Sequence, residues 1–259
     1  MIGTGNVRAK ARASGLFGSV QTGGVGMQRG VVPVPFTPTS IAGMQIWYKA
    51  DTGLFQDSAK TTPATANAHP VGAWEDQSGN GNDILQTTSN RRPFLTAAGL
   101  NGHSFISNAA NNEYMVKAVL SIAQPYTFFA VTRLNPLNTG NHLYTAGKGN
   151  IFYDAGGPRW YMQNGGNVFS SGTATTAWTY ITAVCTTSTS KIRQNGGNEG
   201  SGATTGGTLT LLSFMASDGG FGADSANSAH YAEFLLYSGA LTALQITNVE
   251  DYLKTRFGL

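Results

Sequence analysis

The stretch that most constrains this chain is AWEDQSGNGND, residues 73–83. Trp74 and the acids Glu75 and Asp76 run straight into Ser78, Gly79, Asn80, Gly81 and Asn82, so a strand that carries Trp74 inward must end there in a tight turn. Asn and Gly adopt positive φ at little cost, and the side chains of Asp76, Asn80, Asn82 and Asp83 can bond the turn's own backbone. Such a turn is self-supporting, and Trp74 beneath it reads as a buried anchor.

Upstream lies IWYKAD (residues 46–51), and downstream lies RRPFLTAAGLNGHSFIS (91–107), in which Gly99, Leu100, Asn101 and Gly102 make a second turn feeding a strand. In this order the three segments resemble the opening of the concanavalin A-like lectin/glucanase jelly rolls, the LamG-like domains found in secreted proteins and in bacteriophage structural proteins. Lys49 stands where that family usually carries a small or acidic residue, and Glu75 precedes Asp76. The resemblance runs from about residue 41 to the C-terminus and does not cover the first forty residues. It implies an all-β fold, a two-sheet antiparallel jelly-roll sandwich with a short C-terminal helix.

A chain of 259 residues has room for one large all-β domain and an appendage. Its 34 glycines, with many Ser, Thr and Asn between short apolar runs, point to frequent turns joining short strands. The net charge of +3 is unevenly placed: residues 1–50 hold five bases (Arg8, Lys10, Arg12, Arg29, Lys49) and no acid. Residues 1–38 are glycine-rich, poor in large apolar side chains, and end in the proline-stiffened VVPVPFTP. The expected division is therefore an extended basic arm over 1–38 and the sandwich over 39–259.

Alone, such an arm cannot bury enough surface to offset its ordering entropy, so a partner protein is expected to hold it. Arg8, Lys10, Arg12 and Arg29 would then meet acidic groups on that partner, nucleic acid being a weaker fit for so short a basic run. LFGSV is too short for a signal-peptide core, and no apolar run is long enough to span a membrane. Neither signal-peptide export nor membrane insertion is expected.

From residue 41 short strands alternate with turns, the clearest at 44–48, 70–74, 104–107, 126–134, 142–146, 151–153, 159–163, 178–186, 191–194, 209–216 and 231–237. YTFFAVTRL (126–134) is apolar on both faces, as for a strand covered by a second sheet on one side and by loops on the other. Asn195-Gly196 signals a hairpin. Near the C-terminus Thr242 and Gln245 make a capping box, with Leu241 and Ile246 as a hydrophobic staple around it. Ile246, Val249, Leu253 and Phe257 form one stripe of a helix over about 243–257, which Gly258 stops. Glu250 sits four residues before Lys254, the spacing of a surface ion pair. Cys185 is alone in an apolar run and reads as a buried small hydrophobe.

Catalytic patterns are missing. Glycosidases of the resembled fold space their carboxylates along one strand in an E-x-D-x-x-E pattern, which this sequence lacks; the adjacent pairs Glu75-Asp76 and Glu250-Asp251 would point to opposite sides of a strand. There is no G-x-S-x-G elbow, and His69, His103, His142 and His230 are dispersed. Calcium is the one cofactor the residues could hold, on Asp76, Asn80, Asn82 and Asp83 or on Asp218 and Asp224, against the simpler reading that these side chains bond their own turns. Sugar binding would use aromatics beside amides: Trp160 and Tyr161 with Gln163 and Asn164, or Trp178 with Tyr180, each also a core candidate.

The leading expectation is a non-enzymatic virion protein, a phage capsid decoration, cement or fibre-type protein assembled in a host cytoplasm. Its arm would clip to a capsid or other virion subunit, its sandwich would face outward, and it would form a homo-oligomer on the particle. The alternative is a carbohydrate-binding module or receptor-binding lectin domain that contacts cell-surface glycan, which the fold resemblance supports by analogy.

Overall fold

A computed structural model describes residues 35–108, 112–135, 137, 140–145, 148–154, 158–170, 172–216 and 229–259. Nearly all of the expected arm, with Arg8, Lys10, Arg12 and Arg29, lies outside the described residues, as do Asp218 and Asp224. The folded unit runs from Phe36 to Leu259.

Its strands in chain order are β1 (Met44–Lys49), β2 (Leu54–Phe55), β3 (Ala73–Trp74), β4 (Ile84–Leu85), β5 (Phe94–Leu100), β6 (His103–Ser107), β7 (Met115–Ala123), β8 (Tyr126–Leu134) and β9 (Gly140–Tyr144). They continue as β10 (Lys148–Asp154), β11 (Arg159–Asn164), β12 (Asn167–Phe169), β13 (Thr179–Cys185), β14 (Thr189–Gln194), β15 (Gly197–Ala203), β16 (Thr208–Phe214) and β17 (Ala229–Ser238), followed by the helix α1 (Ala243–Phe257). One antiparallel sheet is ordered β15-β14-β13-β8-β17-β6-β5, with β1 pairing the half of β17 that β6 leaves uncovered. The other is ordered β12-β11-β10-β9-β16-β7-β4-β3-β2.

Alternation of side chains along each strand divides the apolar residues into two layers. Between the sheets lie Ile46, Tyr48, Trp74, Phe128, Trp160, Met162, Leu212, Phe214, Tyr231, Phe234 and Leu236. Tyr48 and Trp74 pack with ring centres 5.3 Å apart and planes tilted by 34°, and both are fully buried. On the outer face of the first sheet a second layer joins Phe129, Val131, Tyr180, Leu235 and Tyr237 to Ile246, Val249, Leu253 and Phe257 of α1. The outer side of the apolar strand 126–134 is thus covered by the helix and not by loops, because the helix stripe supplies a complementary apolar face.

The 73–83 turn stitches one sheet to the other. Asp76 accepts hydrogen bonds from the backbone N–H groups of Trp47 (2.9 Å), Ser78 (2.9 Å) and Asn82 (3.0 Å), and from the Ser78 hydroxyl (2.7 Å). Asn80 and Asn82 donate to the carbonyls of Met44 and Gln45, each at 2.9 Å, and the Tyr48 hydroxyl donates to the Asn82 carbonyl. Asp83 accepts from the Asp76 N–H at 2.9 Å and pairs with Lys60 at 2.8 Å. The carboxylate oxygens of Asp76 and Asp83 are therefore engaged in fixing β1 and the turn itself, and the Asn80 and Asn82 side chains serve the turn as donors.

The other local signals act as their chemistry requires. Asn195 and Gly196 take φ of 51° and 71°, so the β14–β15 connection is a two-residue hairpin with both central residues left-handed. Thr242 and Gln245 form the reciprocal cap, and Gly258 ends the helix at φ 66°. Asn101, in the second sequence turn, donates to the Phe257 carbonyl at 2.6 Å and satisfies one of the helix's last acceptors. Glu250 departs from the surface pairing expected with Lys254: it is buried and turned toward the sheet, where Arg193 and Thr182 hold it.

Candidate functional site

Among the described residues, the buried carboxylates Glu233 and Glu250 lie on the outer face of the first sheet, where α1 packs. A bulge opposite Val131 places both Ala232 and Glu233 on this face, so β17 presents a carboxylate to the helix in the midst of an apolar run. Glu233 accepts from the Trp47 indole (2.6 Å) and the Tyr252 hydroxyl (2.9 Å), and Arg256 lies 2.9 Å away. Burial raises its pKa, against the pull of these three partners. Asp51 accepts from the Ser104 N–H at 2.7 Å and pairs with His103 and Arg256. Burial opposes its ionisation, but those contacts outweigh it and leave the carboxyl below its ordinary pKa.

Beside this network, on the same face, four residues from separate segments form an aromatic cluster in which Phe105 and His230 are buried while Trp178 and Arg133 are partly exposed and make a platform. Phe105 of β6 meets Trp178 edge-on at 5.0 Å and stacks on His230 of β17 at 5.2 Å with an interplanar angle of 11°. Arg133, at the outward end of β8, places its guanidinium 5.1 Å from the Trp178 ring centre and 5.4 Å from that of Phe105. Just after Trp178 in the chain, the Thr179 hydroxyl (2.7 Å) and the Tyr180 N–H (3.1 Å) donate to the Asn195 side chain, which holds the start of β13.

Arg133 Nε donates to His230 Nδ1 at 2.9 Å; guanidinium can only donate, so this imidazole nitrogen carries no proton. Burial, then the charge of Arg133, push His230 down to about 4, which agrees with a neutral ring. Burial also lowers the pKa of Arg133 itself. The platform thus sets the partly exposed Trp178 ring and the Arg133 guanidinium side by side, an aromatic surface next to hydrogen-bond donors.

Of the residues expected to bind sugar, Trp178 alone reaches this platform. Trp160 is fully buried between the sheets, since the alternation of β11 turns it and Met162 inward, so its ring presents no face to a ligand. Tyr161 points outward from the second sheet against Phe169 at 5.1 Å, with Gln163 also outward. Asn164 faces inward, bonded to Gln124, Ser190 and Thr186. Tyr180 is buried in the layer beneath the helix. Phe105, Arg133 and His230 escaped the sequence reading; the one signal for them is that Arg133 is the sole charge in YTFFAVTRL.

A cleft of about 340 Å³ bounded by Asp51, Leu54, Pro63, Glu75 and Leu95 brings two carboxylates to one wall. Both are paired with cations, Asp51 with Arg256 and Glu75 with Lys60 at 3.0 Å, and Asp51 also contacts the His103 ring. A glycosidic general acid needs a raised pKa, and Asp51 is shifted the other way. Among the described residues no group of three or more His, Cys, Asp or Glu side chains is placed to hold a metal ion, and no helix is long and apolar enough to cross a membrane.

Neither a family model nor a curated protein sequence matches this chain. Solved structures match it at the level of fold. Domain 4 of AbnA, a GH43 extracellular arabinanase from Geobacillus stearothermophilus solved with arabinotriose, aligns with a TM-score of 0.54 at 15% identity over 80% of this chain and 98% of that one. The botulinum neurotoxin serotype D ligand binding domain in complex with N-acetylneuraminic acid gives 0.56 at 12% identity over 83% and 53%. A GH54 α-L-arabinofuranosidase gives 0.50 at 16% over 73% and 51%. The chain thus spans about half the length of the last two. These β-sandwiches include both binding domains and glycosidases, so the shared fold alone does not decide whether a chain catalyses. What the chain shares with them is the architecture of a β-sandwich.

Proposed function

We propose that this chain is a carbohydrate-binding, lectin-like module without hydrolytic machinery, and that it binds saccharide on the Trp178 platform. The observation that carries this reading is the half-exposed Trp178 ring, clamped edge-on by Phe105 and flanked by Arg133, on a sandwich whose fold neighbours include domains solved with arabinotriose and with N-acetylneuraminic acid. The carboxylates of the described cleft support the non-catalytic part, because each is held by a cation. The virion expectation drew on the basic arm, which lies outside the described residues, and the fold likeness favours the lectin-like alternative over it.

A glycan array probed with the full chain tests the reading. Reproducible binding to a saccharide class, reduced roughly tenfold by Trp178→Ala and unchanged by Tyr161→Ala, is the expected outcome. Binding that Trp178→Ala leaves intact, or hydrolysis of the bound glycans, contradicts it.

A further inference from the structure

Three arginines are half-buried on the outer face of the first sheet: Arg133, Arg193 and Arg256. Arg193 lies 2.7 Å from Glu250, and Arg256 lies 2.9 Å from Glu233 and also contacts Asp51. Arg133 differs. Its Nε is spent on neutral His230, its plane is held by two aromatic rings, and among the described residues no carboxylate pairs with it. A guanidinium taken partly out of water without a counter-ion is costly, and the fork of its two Nη groups matches a carboxylate at two points. The aromatic clamp pre-organises that fork, so little side-chain freedom remains to be lost on binding.

We infer that Arg133 recognises the carboxylate of an acidic saccharide, a uronic or sialic type residue, whose ring lies against Trp178. This deepens the module reading and rests on it: Trp178 supplies the contact common to all ligands, and Arg133 selects acidic ones. His230 positions Arg133 and does not meet the ligand.

The test is an array of matched glycan pairs, each an acidic saccharide beside its carboxyl-reduced neutral counterpart, with the best pair measured by calorimetry on the full chain. The acidic member should bind at least tenfold more tightly at low salt, and the preference should shrink as NaCl is raised toward 0.5 M. Arg133→Gln should abolish the preference, so that the acidic and neutral members bind the variant with equal affinity. Arg133→Lys, which keeps the charge but not the planar fork, should fall between and guards against a folding defect. Equal affinity for both members of every pair overturns the inference while sparing the module reading, and so does a preference that survives Arg133→Gln. Sulfated glycans that match the acidic ones overturn the carboxylate assignment. No Trp178-dependent binding at all overturns both readings.

Discussion

Glu250 of α1 and Arg193 of β14 form a two-point ion pair, with Arg193 Nε 2.7 Å from Oε1 and Nη2 2.7 Å from Oε2. Thr182 of β13 donates to the same Oε1. The helix is therefore fastened to the sheet by a buried carboxylate as well as by its apolar stripe. Glu250→Gln leaves Arg193 only the more distant Glu199, 4.0 Å away, and the expected loss is about 1.5–3 kcal/mol in chemical denaturation, that of a hydrogen bond to a charged group. A loss under about 0.5 kcal/mol, as at an exposed site, would show that the pair does not fasten the helix.

Leu253 is fully buried where α1 crosses the outer face of the sheet, among Val249, Phe257, Leu235 and Tyr237. Truncation to alanine removes the transfer energy of the side chain and leaves a cavity. Leu253→Ala is expected to cost about 2–5 kcal/mol. Denaturant unfolding measures this directly, and retention of wild-type stability would mean the helix is docked by another face.

His230 sets a pH dependence. Its folded pKa of about 4 lies below the ordinary value of 6.5, so between these limits the unfolded chain binds the proton more readily than the folded one. The stability it contributes is complete above pH 6.5 and is lost as pH falls toward 4. His230→Gln keeps an acceptor for Arg133 without a titration, and its unfolding midpoint should fall less steeply than wild type across that window. Parallel profiles for the two proteins would contradict the assignment.

Val119 is 90% exposed at φ 63°, a left-handed conformation that crowds a β-branched side chain. It sits where the β7–β16 register shifts between Ala118 and Ile122. Asparagine tolerates this conformation, so Val119→Asn should stabilise by about 1 kcal/mol, roughly 2–4 °C in Tm. A lower Tm would show that the valine side chain makes a contact worth more than its strain.

Legibility in the sequence followed the locality of the signal. The 73–83 turn, the Asn195-Gly196 hairpin and the Thr242-to-Gly258 helix each depend on residues within a few positions of one another, and each stands where the residues imply. β15, GNEGSGA, was legible only through that hairpin, which puts residues from Glu199 onward beside 191–194; it has no large apolar residue, pairs through backbone, and Gly200 passes so close to β12 that an added Cβ would lie 1.5 Å from the Phe169 carbonyl oxygen. β7 lacks a clean alternation because its register shifts at Val119. β5 ends in a run of Ala and Gly that masks its period. The inward turn of Glu250 was hidden because its spacing to Lys254 suits a surface pair equally well. The platform was the least visible part: Phe105, Arg133, Trp178 and His230 meet only through the pairing of β6, β8, β13 and β17, which no local pattern encodes.

The chain's four tryptophans allow the central claim to be read in one spectrum. Trp74 and Trp160 are fully buried, and the Trp47 indole N–H is bonded to Glu233, whereas Trp178 stands on the proposed binding platform. Titration of the ¹⁵N-labelled full chain with the best array glycan, followed through the indole N–H signals, should shift the Trp178 signal in a saturable manner and leave the other three in place. A saturating titration in which Trp178 does not move would contradict saccharide binding at this site.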